Sequence, residues 1–157
     1  MVEKPQPITK DGLARIEEEL RHLETVRRSE VADRIRQAKE LASTQNNAEY
    51  EDAKNEQAMV EGRILQLQSL IQNASIIDED GAHRSKQVML GSHVRLKGED
   101  GKTHEYVIVG PAEADPREGK ISNESPVGRA LIGKGLHDEV QVNVPRGLVT
   151  LKITRIS

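Results

Sequence analysis

The chain has 157 residues, 35% of them apolar and 31% charged, with two tyrosines, no Phe or Trp and no cysteine. That composition excludes one large aromatic core, disulfide staples and thiolate chemistry, and it fits an elongated helical part. The net charge of −3 is shared so that neither half is basic, which removes any bulk electrostatic case for binding nucleic acid.

Residues 1 to 8 are a Pro-containing lead-in without the apolar run of a signal peptide. No stretch reaches the roughly 18 apolar residues that span a membrane. A soluble, cytoplasmic protein with no membrane partner is expected. Thr9 is placed as a helix N-cap, with Asp11 in the first turn where negative charge suits the helix dipole. Leu13, Ile16, Leu20 and Leu23 then step by three and four, the spacing of a helical stripe. The stripe weakens around Arg27, Arg28 and Ser29 and resumes at Val31, Ile35, Ala38 and Leu41. A helix over 10–41 is predicted, about 45 Å long.

Leu41–Tyr50 is a polar break. Its Ser-Thr-Gln-Asn-Asn run competes with a helix for backbone hydrogen bonds. Asn46 with Glu49 resembles a capping box that starts a second helix. Ala53, Gln57, Val60, Ile64, Leu67, Ile71 and Ala74 follow at heptad spacing. Two helices with one seam each predict an antiparallel hairpin over 1–75, its tip near 42–47.

From Ser75 the apolar period becomes two, and Gly, Pro and β-branched residues appear. Strands are predicted at 75–78, 88–89, 93–97, 105–109, 120–122, 139–144 and 148–156. Pro145-Arg146-Gly147 is the turn joining the last two. Ser125-Pro126 opens a short helix over 127–132, with Ser125 at the N-cap and Pro126 at the first helical position. Residues 76–157 thus form a second, mostly antiparallel α+β domain.

The five histidines lack metal-ligand spacing, although His93 and His104 are candidates to meet on adjacent strands. No phosphate loop and no nucleophile arrangement is present, so no catalytic residue and no bound metal or cofactor is assigned. Arg27, Arg28, Arg34, Arg36 and Lys39 alternate with acids, and intrahelical pairs such as Glu30–Arg34 and Glu24–Arg28 are expected.

Several segments resemble a known family. Asn47-Ala48-Glu49-Tyr50, Ala53-Lys54-Asn55-Glu56-Gln57, Val60-Glu61-Gly62-Arg63-Ile64, Asn73-Ala74 and Ile76-Ile77-Asp78 look like the second helix and the junction of bacterial Gre transcript-cleavage factors. Ile108-Val109-Gly110, Glu113-Ala114-Asp115 and the run from Ser125 to Lys134 are similar to that family's C-terminal domain. The resemblance implies an N-terminal antiparallel coiled-coil hairpin followed by a small FKBP-like antiparallel-sheet domain. It also implies a transcription elongation factor that is not itself an enzyme.

The partner so implied is bacterial RNA polymerase, bound with the coiled coil in its secondary channel. The nascent RNA 3′ end is met inside that complex, and DNA only through it. In the family a Gly-Asp-x-x-Glu-Asn-Ala-Glu-Tyr tip helps the polymerase hold a second Mg²⁺ and cut backtracked RNA, a task suited to hard carboxylate ligands. Here Ser43 and Asn46 stand where that motif has Asp and Glu. Cleavage stimulation is therefore expected to be weakened or lost, and Mg²⁺ concerns the polymerase site only. The tip retains Asn47, Ala48, Glu49 and Tyr50; Lys39 and Lys54 match the family's RNA-contacting positions; Ser125 and Pro126 match its docking segment. Two alternatives are a non-cleaving homologue that inhibits or regulates the polymerase by occupying the channel, and an FKBP-like isomerase or chaperone. The latter is disfavoured because Tyr106 is the only aromatic in the second half.

Overall fold

Leu23, Arg27, Val31 and Ile35 are spaced four apart, and a run of fours drifts off the face of an α-helix. The chain absorbs that drift in the backbone. In the computed structural model, which describes residues 4–41 and 48–157, helix runs unbroken from Lys10 to Leu41. It consists of α1 (Lys10–His22), a π-helical stretch (Leu23–Arg27) and α2 (Arg28–Leu41). The wider π turn takes up the surplus residue, so Ile16, Val31 and Ala38 are all buried.

Thr9 starts the helix as its spacing predicts: its hydroxyl accepts from the Gly12 N–H at 3.0 Å. The Glu113 carboxylate in turn accepts from Thr9 N–H at 2.5 Å and Thr9 Oγ1 at 2.6 Å. Gly12 lies so close to that carboxylate that a Cβ would overlap it.

The second helix, α3 (Ala48–Gln72), buries Ala53, Val60, Ile64 and Leu67. Gln57, expected on the seam, is exposed, and the half-buried residue there is Glu56. Arg27 and Arg34 on the first helix both donate to Glu56 and draw it into the interface. Moving along α2 from Arg28 to Arg34, the partners step back along α3 from Glu61 to Glu56, the antiparallel sense of a hairpin. Val31, Val60 and Ile64 form its packed centre, with Leu20, Leu23 and Ile35 against them.

The chain divides into two compact units: Leu13–Asn73, and the chain up to Gly12 together with Ala74–Ser157. The lead-in belongs to the second unit because it forms a strand. Pro5 and Pro7 favour extended backbone, and β1 (Gln6–Ile8) pairs in parallel with β2 (Ala74–Ile76). Ile8 is 3% exposed, and Gly110 packs on the Pro7 carbonyl so closely that no Cβ fits.

After the short α4 (Glu79–Arg84), capped by Asp78, comes a mostly antiparallel sheet. Its strands are β3 (His93–Gly98), β4 (Thr103–Val109), β5 (Lys120–Ser122), β6 (Glu139–Val144) and β7 (Gly147–Ile156), in the order β5-β4-β3-β7-β6. Only the β4–β5 pairing is parallel. Val94, Leu96, Ile108, Val142 and Ile153 cover the inner face, and Leu131 of α5 (Pro126–Leu131) packs on them.

The expected strand at 88–89 does not form. Gln87 makes a single bridge to Gly135, and Val88 exchanges hydrogen bonds with Lys134 and Gly133 at 2.8 Å each. Between Arg95 and Leu96 the β3–β7 register slips by one residue. Thr154 is the extra residue, and its hydroxyl donates to the Arg95 carbonyl at 3.2 Å.

Candidate functional site

At the distal end of the helical hairpin, small residues bring the helices together: Ala38 is 4% exposed and Ala53 fully buried. Lys39 and Lys54 each follow one of these alanines and are exposed. The Lys54 ammonium lies 5.9 Å from the centre of the Tyr50 ring, one helical turn earlier. Ala48 and Glu49 are exposed in the first turn of α3, and Tyr50 is half-buried. Ser43, Asn46 and Asn47, with the 42–47 tip, lie outside the described residues.

The arginines behind this end are committed to carboxylates. Arg28 binds Glu61 through two nitrogens at 2.8 and 2.9 Å, and Arg63 binds Glu19 at 2.8 and 3.1 Å. Arg27 and Arg34 share Glu56, and Arg36 pairs with Asp33. The expected intrahelical pairs Glu30–Arg34 and Glu24–Arg28 therefore give way to bridges between helices. A facing helix offers a carboxylate in a fork that the same-helix neighbour does not.

The hydrogen bond from Arg27 holds Glu56 below the ordinary carboxylate range, and the charges of Arg27 and Arg34 act the same way. The Arg28 hydrogen bond does so for Glu61, and Glu61 in turn raises Arg28. The Glu19 hydrogen bond raises Arg63. Among the described residues Lys39 and Lys54 have no such carboxylate. This end of the hairpin thus offers two cations to an anionic ligand.

In the sheet unit, Ser125 caps α5 as its sequence predicts. Its hydroxyl accepts from Gly128 N–H at 3.1 Å and donates to the Ser122 carbonyl at 2.7 Å. Pro126 occupies the first turn and is exposed. Gly128 is pressed against the Ser122 carbonyl, which locks the turn to β5. Beside it is a groove of about 330 Å³ lined by Met89, Leu90, Asn123, Arg129 and Ile132. The Asn123 side-chain oxygen is buried and receives no hydrogen bond. An apolar side chain carrying a donor suits this groove. Sequence reasoning missed it because residues 89 and 132 are far apart in the chain and only the fold joins them.

His93 and His104 do not meet. His93 lies opposite Val107 and touches the ring of His83, with ring centres 5.1 Å apart. His104 lies opposite Leu96 and stacks on Tyr106. Among the described residues, no three His, Asp or Glu side chains are grouped to hold a metal, and no helix is long and apolar enough to cross a membrane.

Residues 6–76 match the family model described as transcription elongation factor, N-terminal, and residues 83–157 match that of transcription elongation factor, GreA/GreB, C-term. The chain is 49% identical over 157 residues to the transcription elongation factor GreA of Chloroflexus aggregans, covering 99% of both chains. It is 48% identical to that of Thermoanaerobacter pseudethanolicus, covering 98% of both. Among solved structures, the GreA factor homolog 1 (Gfh1) of Thermus thermophilus is 28% identical, with 98% of this chain and 99% of that one covered and a TM-score of 0.45.

Proposed function

Because the chain belongs to the GreA/GreB family of transcription elongation factors, we propose that it binds bacterial RNA polymerase, extends its hairpin into the secondary channel and does not stimulate RNA cleavage. The observation that carries the reading is the pair of exposed cations Lys39 and Lys54 at the hairpin end, neither paired with a carboxylate among the described residues, amid arginines that carboxylates already hold. An RNA 3′ segment displaced into the channel presents phosphates to such groups. Ser125 and Pro126 form the docking edge, and the groove holding the unpaired Asn123 oxygen receives a polymerase side chain.

Cleavage needs negative oxygens that help the polymerase retain its second Mg²⁺. Ser43 and Asn46 are neutral, and Glu49 is displaced from both motif positions. The protein therefore contributes RNA contacts and channel occupancy, and the reaction is left to the polymerase alone. Slowed RNA synthesis is the alternative outcome of the same occupancy, favoured by the same two neutral residues.

Cleavage in stalled, backtracked complexes tests this reading. The purified chain is expected to bind polymerase and leave the cleavage rate unchanged, and Ser43→Asp with Asn46→Glu to raise it about a hundredfold, the lower range of one catalytic group. Robust cleavage with the unaltered chain refutes the proposal. An inert double variant together with slowed synthesis by the parent selects the inhibitory reading.

A further inference from the structure

The outward face of the sheet carries a charge arrangement that the proposed function does not use. Strands β3 and β7 place Arg95 directly opposite Arg155, and Lys97 directly opposite Lys152. Like charges facing each other across a strand pair are destabilising. The flanking strands supply only partial compensation. Glu105 on β4 takes both Arg95 Nε, at 2.9 Å, and Arg95 Nη2, at 2.6 Å. Glu139 lies opposite Lys152 on β6, yet the two form no ion pair. Among the described residues Lys97, Lys152 and Arg155 have no carboxylate within bonding distance, and all three are exposed. A hollow of about 410 Å³, lined by His93, Arg95, Arg155, Glu105, Glu118 and Tyr106 among others, opens at one end of this row.

We propose that the outward face of β3 and β7 binds the phosphate backbone of nucleic acid, through Lys97, Lys152 and Arg155. The site goes beyond the channel reading and does not depend on it. Alternate residues along a strand are about 6.8 Å apart and adjacent strands about 4.8 Å apart, so the cations form a two-wide track that meets a continuous polyanion at several points. A polypeptide partner needs a desolvated apolar or aromatic anchor at its centre. The rows Glu105–Arg95–Arg155 and Thr103–Lys97–Lys152–Glu139 hold none. Nucleic-acid interfaces are instead polar, cationic and wet. The two cation rows hold no aromatic on which to stack a base, so binding is independent of sequence and strongly dependent on salt.

The test is fluorescence anisotropy with the full chain and a labelled 20-nucleotide single-stranded RNA across a potassium chloride series. Three cations predict a log–log salt slope of about −2. Lys152→Glu with Arg155→Glu is expected to weaken binding at least tenfold at low salt and to flatten that slope below about −1. Lys4→Gln with Lys10→Gln, exposed lysines in neither cation set, is expected to leave the binding in place. The melting temperature of the reversed variant reports folding; should that variant unfold, the milder Lys97→Gln with Lys152→Gln is expected to weaken binding about threefold. Unchanged affinity in a folded face variant, equal loss of binding in the Lys4/Lys10 variant, no binding by the parent, or tighter binding of poly-glutamate than of RNA at equal charge overturns the proposal.

Discussion

The helical hairpin and the sheet unit are stable for different reasons. The sheet unit closes ten buried apolar residues into one cluster, filled from both strands and helix. The hairpin has three buried residues at the centre of its seam and supplements them with bridges from Arg27, Arg28, Arg34 and Arg63 to the opposite helix. Packing volume governs the first, and register and charge govern the second. A thin arm with little interior has few other means of fixing one helix against another.

The largest break in this comparison is expected from Leu131→Ala. That side chain is fully buried beneath the sheet, and its loss costs about 2–5 kcal/mol, through transfer and cavity together. Denaturant unfolding should show it as a lower midpoint of the sheet transition, while helical signal from the hairpin is kept. Next is register. Deleting Thr25 removes the residue that the π turn absorbs, so Val31, Ile35 and Ala38 stay on the seam and the loss is below about 1 kcal/mol. Deleting Ala32 takes either Val31 or Ile35 off it, at about 1.5–3 kcal/mol. Circular dichroism melts of the two deletions compare these directly; equal losses would mean that the π turn carries no register function.

The smallest effect is electrostatic. Glu56 and Glu61 have their pKa lowered in the folded hairpin, so their stabilisation is complete at neutral pH. It is lost as pH falls through the ordinary carboxylate range toward the lower folded values. The hairpin melting temperature should therefore hold constant near neutrality and decline in acid, and Glu56→Gln should reduce that decline. Since these bridges are exposed, the difference between parent and variant should shrink at high salt.

How much was legible followed from how local the cause was. The α3 seam, the Thr9 and Ser125 caps and the β6–β7 hairpin each depend on residues within one or two turns, and each was read from spacing. Gln57 was misplaced because a heptad count treats the seam as apolar, whereas the facing Arg27 and Arg34 draw Glu56 inward. The β1 strand was hidden by its prolines, because its pairing partner Ala74–Ile76 begins more than sixty residues later. The Glu113 clasp on Thr9 and the Asn123 groove have no sequence signature, since tertiary approach alone creates them. The family resemblance singled out Lys39 and Lys54 as candidates, and the structure adds that their arginine neighbours are already occupied.

The pairing of β1 with β2 has a topological consequence. Ile8 and Ile76 are partners, so the chain leaves the sheet unit and returns to it at adjacent points. In architecture the helical hairpin is an insertion within a host domain, with entry and exit stitched together. Its length is therefore a free variable: matched seven-residue additions to both helices lengthen the arm by about 10 Å and leave the stitch untouched. A single cut within the arm likewise divides the chain without dividing the host, because segments from both sides of the cut build the same unit.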